Sequence, residues 1–206
     1  CAAVAALAIA LARPQSGNSN TQRTAEGLDI VMVLDTSGSM NQRDFTWGRE
    51  RPTRMAVVKN VIGAFINERR DDRIGMVVFG TEAFTQAPLT LDHEVLNRFI
   101  DRIQVGMAGE ATAIGDGLAT AVNRLKSVDA KSKVIILLTD GGNNAGRVDP
   151  LAAAQAAASL GIKVYTIGVG APPKPGAPQG SDVDEKSLQE IAKTTGGKYF
   201  LATSTE

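Results

Sequence analysis

The chain has 206 residues, enough for one α/β domain with a sizeable hydrophobic core. Its 22 Lys and Arg residues balance 22 Asp and Glu residues, so the formal charge is zero and neither nucleic acid nor an anionic membrane surface is expected as a partner. The single cysteine, Cys1, excludes an internal disulfide and any zinc site built from cysteines.

The N-terminal segment is apolar and short. Its first twelve residues, CAAVAALAIALA, carry no charge, but a membrane-spanning helix needs about 20 such residues. We interpret residues 1–13 as the end of a transmembrane helix and residues 14–26 as a polar linker. Two alternatives are the remnant of a signal peptide or apolar helix resting on the domain, and a lipidated Cys1.

Strands and helices alternate after the linker. Leu28–Leu34 is a near-continuous apolar run, typical of a strand that is buried on both faces of a parallel sheet. Ala83–Thr90 alternates weakly, and Pro88 restricts it to the edge of a sheet. The sequence "APPKPGAPQGSD", residues 171–182, predicts a loop.

The remaining periodicities predict a doubly wound α/β fold. This is a mostly parallel six-stranded sheet with one short antiparallel edge strand and helices on both faces. The predicted elements are strands at Leu28–Leu34, Ile74–Phe79, Ala83–Thr90, Lys133–Leu138, Ile162–Val169 and Lys198–Leu201, and helices opening at Arg51-Pro52-Thr53 and spanning Leu91–Ile103, Thr112–Leu125, Pro150–Leu160 and Asp184–Thr195.

Oxygen-bearing side chains occur at three places that are far apart in the sequence, after two strands and at the start of one helix. Asp35, Ser37 and Ser39 come directly after the first strand, Asp140 follows the fourth, and Thr112 opens a long helix. In doubly wound folds, ligands bind beyond the carboxyl ends of the strands, where the strand order reverses. We therefore expect these five side chains to meet at one edge of the sheet.

Two carboxylates and three hydroxyls suit a small hard cation. Mg²⁺ prefers oxygen ligands and gives up its waters reluctantly, and Mn²⁺ or Ca²⁺ are alternatives. If Asp35 and Asp140 act partly through water, the cation keeps net positive charge and attracts an acidic side chain from a protein partner. Such a site binds a carboxylate without hydrolysing anything.

Other interpretations of the same residues remain open. Ser37, Ser39 and Thr112 could cap helices, or the metal site could be vestigial. Asp35 could also be the nucleophile of a metal-dependent phosphohydrolase, although haloacid-dehalogenase-like enzymes need a second Asp where this chain has Ser37. Nearby, Phe45 and Trp47 could either contact a partner or cover the end of the sheet.

The motif Asp35-Thr36-Ser37-Gly38-Ser39, with Thr112 and the Asp140 of "LLTDGG", resembles a von Willebrand factor A (VWA) domain with a metal-ion-dependent adhesion site (MIDAS). The resemblance covers about Gly27 to Ala202 and leaves residues 203–206 as a tail. One departure is Ala111, where the family pattern has Gly.

The sequences "LARPQ", "DRIGMVVFG", "TAIGDGLATAVNRL" and "VDEKSLQEIAKTTGGKYF" are similar to the bacterial aerotolerance (Bat) subgroup, BatA in particular. That resemblance implies anchoring in the bacterial inner membrane with the VWA domain on the periplasmic side. It also implies other Bat proteins and a MoxR-type AAA+ ATPase as partners, in envelope or oxidative-stress physiology. The implied role is that of a scaffold or chaperone, with no catalysis.

Overall fold

A computed structural model describes residues 27–130, 132–170 and 184–202 of the chain. The predictions for residues 1–13, 14–26, 171–182 and 203–206 lie outside the described residues. Within the described ranges, no helix combines the length and the apolarity needed to cross a bilayer.

The six strands form one sheet in the order β3-β2-β1-β4-β5-β6. All neighbouring strands are parallel except β2 and β3, which pair antiparallel at the edge that Pro88 predicts. The predicted fold class is therefore confirmed. The strands are β1 (Asp29–Asp35), β2 (Arg73–Phe79), β3 (Ala83–Thr90), β4 (Lys133–Thr139), β5 (Ile162–Val169) and β6 (Tyr199–Ala202).

Five α-helices and one 3₁₀ turn connect these strands among the described residues. They are α1 (Arg54–Asn67), α2 (His93–Arg102), α3 (Ile114–Leu125), α4 (Pro150–Ser159) and α5 (Glu185–Thr194), with the 3₁₀ turn at Gly38–Asn41. Helix α1 begins at Arg54, directly after the predicted opening Arg51-Pro52-Thr53, and the Thr53 hydroxyl caps it by accepting a hydrogen bond from the backbone N–H of Ala56. Asp92 caps α2 in the same way, so that helix begins two residues later than predicted.

Strand β1 lies at the centre of the core and is buried along its whole length. Ile30, Met32 and Leu34 pack with α1 and α2 on one face of the sheet, and Val31 and Val33 pack with α3, α4 and α5 on the other. This explains why the strand reads as continuously apolar.

The chain leaves β1 toward β2 and β3 on one side and later returns through β4 to β6 on the other. The strand order thus reverses between β1 and β4, which are adjacent and parallel. A crevice at the carboxyl ends of two such strands is where doubly wound folds bind ligands. Asp35 ends β1 and Asp140 directly follows β4, so both acids lie at this position.

The opposite end of β1 carries another buried acid. Asp29 accepts two hydrogen bonds of 2.6 Å from the Arg73 guanidinium, one on each carboxylate oxygen. This bidentate ion pair joins the amino ends of β1 and β2.

Candidate metal centre

The Asp35 carboxylate is fully buried, at 0 % exposure. One of its oxygens, Oδ1, accepts a hydrogen bond from the backbone N–H of Ser37 (2.8 Å), and Oδ2 accepts one from the Thr139 hydroxyl (2.6 Å). Burial raises the pKa of Asp35 to about 6, the hydrogen bonds to Ser37 and Thr139 oppose that rise, and the nearby Asp140 carboxylate adds to it. Among the described residues, the hydrogen bonds that the Asp35 carboxylate accepts come from neutral donors.

The two serines connect Asp35 to Asp140. The hydroxyl oxygens of Ser37 and Ser39 lie 3.0 Å apart, and the Ser39 hydroxyl donates a 2.6 Å hydrogen bond to Asp140 Oδ1. Residues 101 positions apart in the chain are thus in direct contact, at the edge that the sequence predicts.

Thr112 is held beside the same edge by the segment that follows Asp140. Its backbone N–H donates to Asn144 Oδ1 (2.8 Å), and its carbonyl oxygen accepts from the backbone N–H groups of Asn144 and Ala145. A methyl group placed on Gly141 would lie 3.9 Å from Thr112 Oγ1, so the hydroxyl faces the residue next to Asp140. All five predicted site residues therefore lie near the carboxyl ends of β1 and β4.

Helix capping does not explain these hydroxyls. Ser37 occupies the N-cap position of the 3₁₀ turn, yet its side chain makes no capping hydrogen bond. The N-cap of α3 is Ala113, so the predicted start of that helix at Thr112 is two residues early. The helix starts later because the side chains of the segment after β4 bind the backbone before it: the N–H of Thr112 donates to Asn144 Oδ1, and that of Ile114 donates to Asn143 Oδ1. Other helices of the described chain are capped by side chains, namely those of Thr53, Asp92, Asp149 and Asp184.

The geometry also disfavours Asp35 as a nucleophile. Both of its oxygens accept hydrogen bonds, and the carboxylate has no exposed surface from which to attack a phosphate. The position that a second catalytic acid would occupy holds Ser37, whose hydroxyl contacts Ser39.

Arg54 is a site residue that sequence reasoning missed. It is the first residue of α1 and only 2 % exposed, and its Nη1 donates to Asp140 Oδ2 (2.7 Å). Its Nε and Nη2 donate to the Asp44 carboxylate, with a shortest distance of 2.6 Å. Although burial acts to lower it, the hydrogen bonds to Asp44 and Asp140 raise the pKa of Arg54. The one sequence signal was its place just after Pro52 and Thr53 at a helix start.

The donor set fits a hard cation. In the part of the chain that the structure describes, no three His, Cys, Asp or Glu residues group together in a way that could hold a metal. A cation at this edge would therefore be held by two carboxylates with the hydroxyls of Ser37, Ser39 and Thr112. Oxygen-only ligands favour Mg²⁺, Mn²⁺ or Ca²⁺ over softer metals.

Phe45 and Trp47, which the sequence allows either to contact a partner or to cover the end of the sheet, differ in exposure. Phe45 is 3 % exposed and belongs to the hydrophobic core, so it covers the end of the sheet. Trp47 is 45 % exposed, on a tight turn in which Trp47 and Glu50 exchange two 2.9 Å backbone hydrogen bonds. Gly48 permits this turn because its φ is +58°.

The chain is similar to several solved structures. BatB from Bacteroides thetaiotaomicron is 31 % identical with a TM-score of 0.74, covering 87 % of this chain and 92 % of that one. An aerotolerance-related membrane protein from Bacteroides fragilis is 30 % identical with a TM-score of 0.73, covering 85 % and 92 %. Proximal thread matrix protein 1 from the mussel byssus, with zinc in its MIDAS motif, is 25 % identical with a TM-score of 0.64, covering 86 % and 42 %.

The chain spans 59 % and 64 % of the length of two curated relatives that are 32 % and 31 % identical to it. The sequence profile of the von Willebrand factor type A domain matches residues 29–206, which is most of the chain. The fold, the order of the motifs and this match agree, and the chain belongs to the von Willebrand factor type A family.

Proposed function

We propose that this protein binds a divalent cation through Asp35, Ser37, Ser39, Thr112 and Asp140, and that this cation is Mg²⁺. The bound cation then receives an acidic side chain of a protein partner. The contact from Ser39 to Asp140 carries the proposal, because it joins the two strand-end loops into one cluster of hard oxygen donors.

The hydrogen bonds around the acids support binding instead of catalysis. Both oxygens of Asp140 already accept from protein donors, Ser39 and Arg54, so its charge is partly satisfied before any cation arrives. A cation held mainly by neutral hydroxyls retains positive charge, which draws in a carboxylate from outside. The protein thus acts by metal-dependent recognition, as a scaffold or chaperone-like component and not as an enzyme.

The cellular setting is proposed from the relatives. The similar Bacteroides fragilis structure is of an aerotolerance-related membrane protein, and the similar Bacteroides thetaiotaomicron protein is BatB. We extend this to attachment to the inner membrane, a periplasmic VWA domain and interaction with other Bat proteins. A MoxR-type AAA+ ATPase is the further partner proposed, with a role in envelope or oxidative-stress physiology.

Calorimetric titration of the chain with Mg²⁺ and Mn²⁺ tests the cation site directly. Ser39→Ala is expected to weaken binding at least about tenfold, because it removes one oxygen donor and the link to Asp140. The matched control is Ser159→Ala, since Ser159 is exposed and its hydroxyl donates only to the Ala156 carbonyl within α4. Equal affinities for wild type and Ser39→Ala would contradict the proposed site.

Capture of partners from solubilised membranes tests the recognition step. Partners are expected to be retained by wild type and Ser159→Ala with Mg²⁺ present, and lost with EDTA or in Ser39→Ala. Mass spectrometry of the retained proteins then shows whether Bat proteins and a MoxR-type ATPase are among them. Retention that is unaffected by EDTA would exclude metal-dependent recognition.

A further inference from the structure

Arg54 is the one buried cationic side chain among residues 27–130, 132–170 and 184–202. Its guanidinium lies between two carboxylates, with Nη1 2.7 Å from Asp140 Oδ2 and Nη2 2.6 Å from Asp44 Oδ2. Asp44 is partly accessible, with 23 % of its side chain exposed, whereas Asp140 is completely buried. A permanent positive charge is therefore fixed in direct contact with one of the proposed cation-binding acids.

We propose that Arg54 is a positioning and charge-tuning residue that weakens cation binding and preserves the cation's attraction for a partner carboxylate. This inference rests on the proposed function of the same site. Arg54 would thus lower the affinity of the site for the cation without being one of its ligands.

The charges of the cluster support this assignment. Asp35, Asp44 and Asp140 contribute three negative charges when ionised, and Arg54 cancels one of them. A divalent cation then makes the cluster neutral, and an incoming carboxylate meets no excess negative charge. Without Arg54, the same cluster would stay negative after the cation binds, so it would hold the cation more tightly and repel the partner's acid.

Asp44 modulates this effect from the outside. Its two oxygens accept three hydrogen bonds from Arg54, so part of the guanidinium charge is neutralised on the side away from Asp140. The backbone N–H of Arg54 also donates to the Gln42 carbonyl (2.9 Å), which fixes the start of α1 against this segment. Removing Asp44 would expose the cation site to the full charge of Arg54.

The two substitutions should therefore change the cation affinity in opposite directions. Arg54→Gln is expected to tighten Mn²⁺ binding about tenfold, because a nearby repulsive charge is lost. Asp44→Asn is expected to weaken it about threefold, because Arg54 then repels the cation more strongly. Arg54→Lys retains the charge and should keep an affinity close to that of wild type. A purely structural role predicts weaker binding in all three variants.

Calorimetric titration of the whole chain with Mn²⁺ at pH 7.5 measures these affinities, and urea unfolding shows that each variant is folded. Arg98→Gln is the control, since the Arg98 side chain is 73 % exposed and forms an ion pair with Glu94, at 3.8 Å, within α2. If Arg54→Gln does not fold, Arg54→Lys decides, because the inference predicts an affinity close to that of wild type and a purely structural role predicts a weaker one.

Unchanged or weaker binding by folded Arg54→Gln, or unchanged or tighter binding by Asp44→Asn, overturns the inference while leaving the cation site in place. A wild type that binds no Mn²⁺ overturns the proposed function and this inference with it.

Discussion

Replacing Asp35 by Asn is expected to stabilise the protein in EDTA and to remove its response to divalent cations. Burial raises the pKa of Asp35 from 3.8 to about 6, so the folded state pays to keep this acid ionised at neutral pH. A rise of that size corresponds to about 3 kcal/mol in the free energy of unfolding. Asn is nearly isosteric, and it can accept from the Ser37 N–H and donate to the Thr139 hydroxyl.

The sign of the pH dependence follows from proton binding. Between pH 3.8 and about 6 the folded protein binds more protons at Asp35 than the unfolded chain, so this group makes stability fall as pH rises through that window. The difference between Asp35→Asn and wild type should therefore be small at pH 4 and reach about 3 kcal/mol near pH 7.5. Carboxylates that do not interact with Asp35 contribute equally to both proteins and cancel in the difference.

Urea unfolding in EDTA at several pH values measures this difference. Repeating the series with excess Mg²⁺ should stabilise wild type, because ligand binding adds to the free energy of unfolding, and should leave Asp35→Asn unchanged. The reasoning fails if the variant is less stable than wild type at pH 7.5 in EDTA, or if its advantage does not depend on pH.

Four other substitutions test the cation site and the packing of two helices. Thr112→Val should weaken Mn²⁺ binding about tenfold in calorimetry while Thr112→Ser, which keeps the hydroxyl, binds like wild type; equal loss in both would remove the hydroxyl from the site. Gly63→Ala in α1 should raise the free energy of unfolding by about 0.5–1 kcal/mol, because its new methyl group meets no atom closer than 3.7 Å. Gly115→Ala in α3 should instead lower it by at least about 2 kcal/mol, because the methyl group would collide with the Val148 carbonyl; urea unfolding that ranks these two variants the other way would contradict the packing.

Much of the fold follows from the sequence because the buried strands are unambiguous. β1 and β4 are continuous apolar runs ended by oxygen-bearing residues, and Pro88 allows β3 only at an edge. The convergence of Asp35 and Asp140 then follows from the rule that parallel strands present their carboxyl ends at one edge.

The partners of these acids could not be predicted in the same way. Arg54 begins a helix, a position at which arginine is normally solvated, and its burial depends on Asp44 and Asp140 meeting it in space. The predicted fourth strand ends at Leu138, whereas the structure extends β4 to Thr139, whose hydroxyl donates to Asp35 on the adjacent strand. Such contacts depend on tertiary packing, which periodicity does not encode.

The acids at the two ends of strand β1 have partners of different charge. At the amino end, the Asp29 carboxylate pairs with a guanidinium supplied by the neighbouring strand. At the carboxyl end, Asp35 has only hydrogen-bond donors of no net charge in direct contact. A chelator or a competing divalent cation should therefore act at the Asp35 end of the sheet and not at the Asp29 end, where the acid already has a cationic partner.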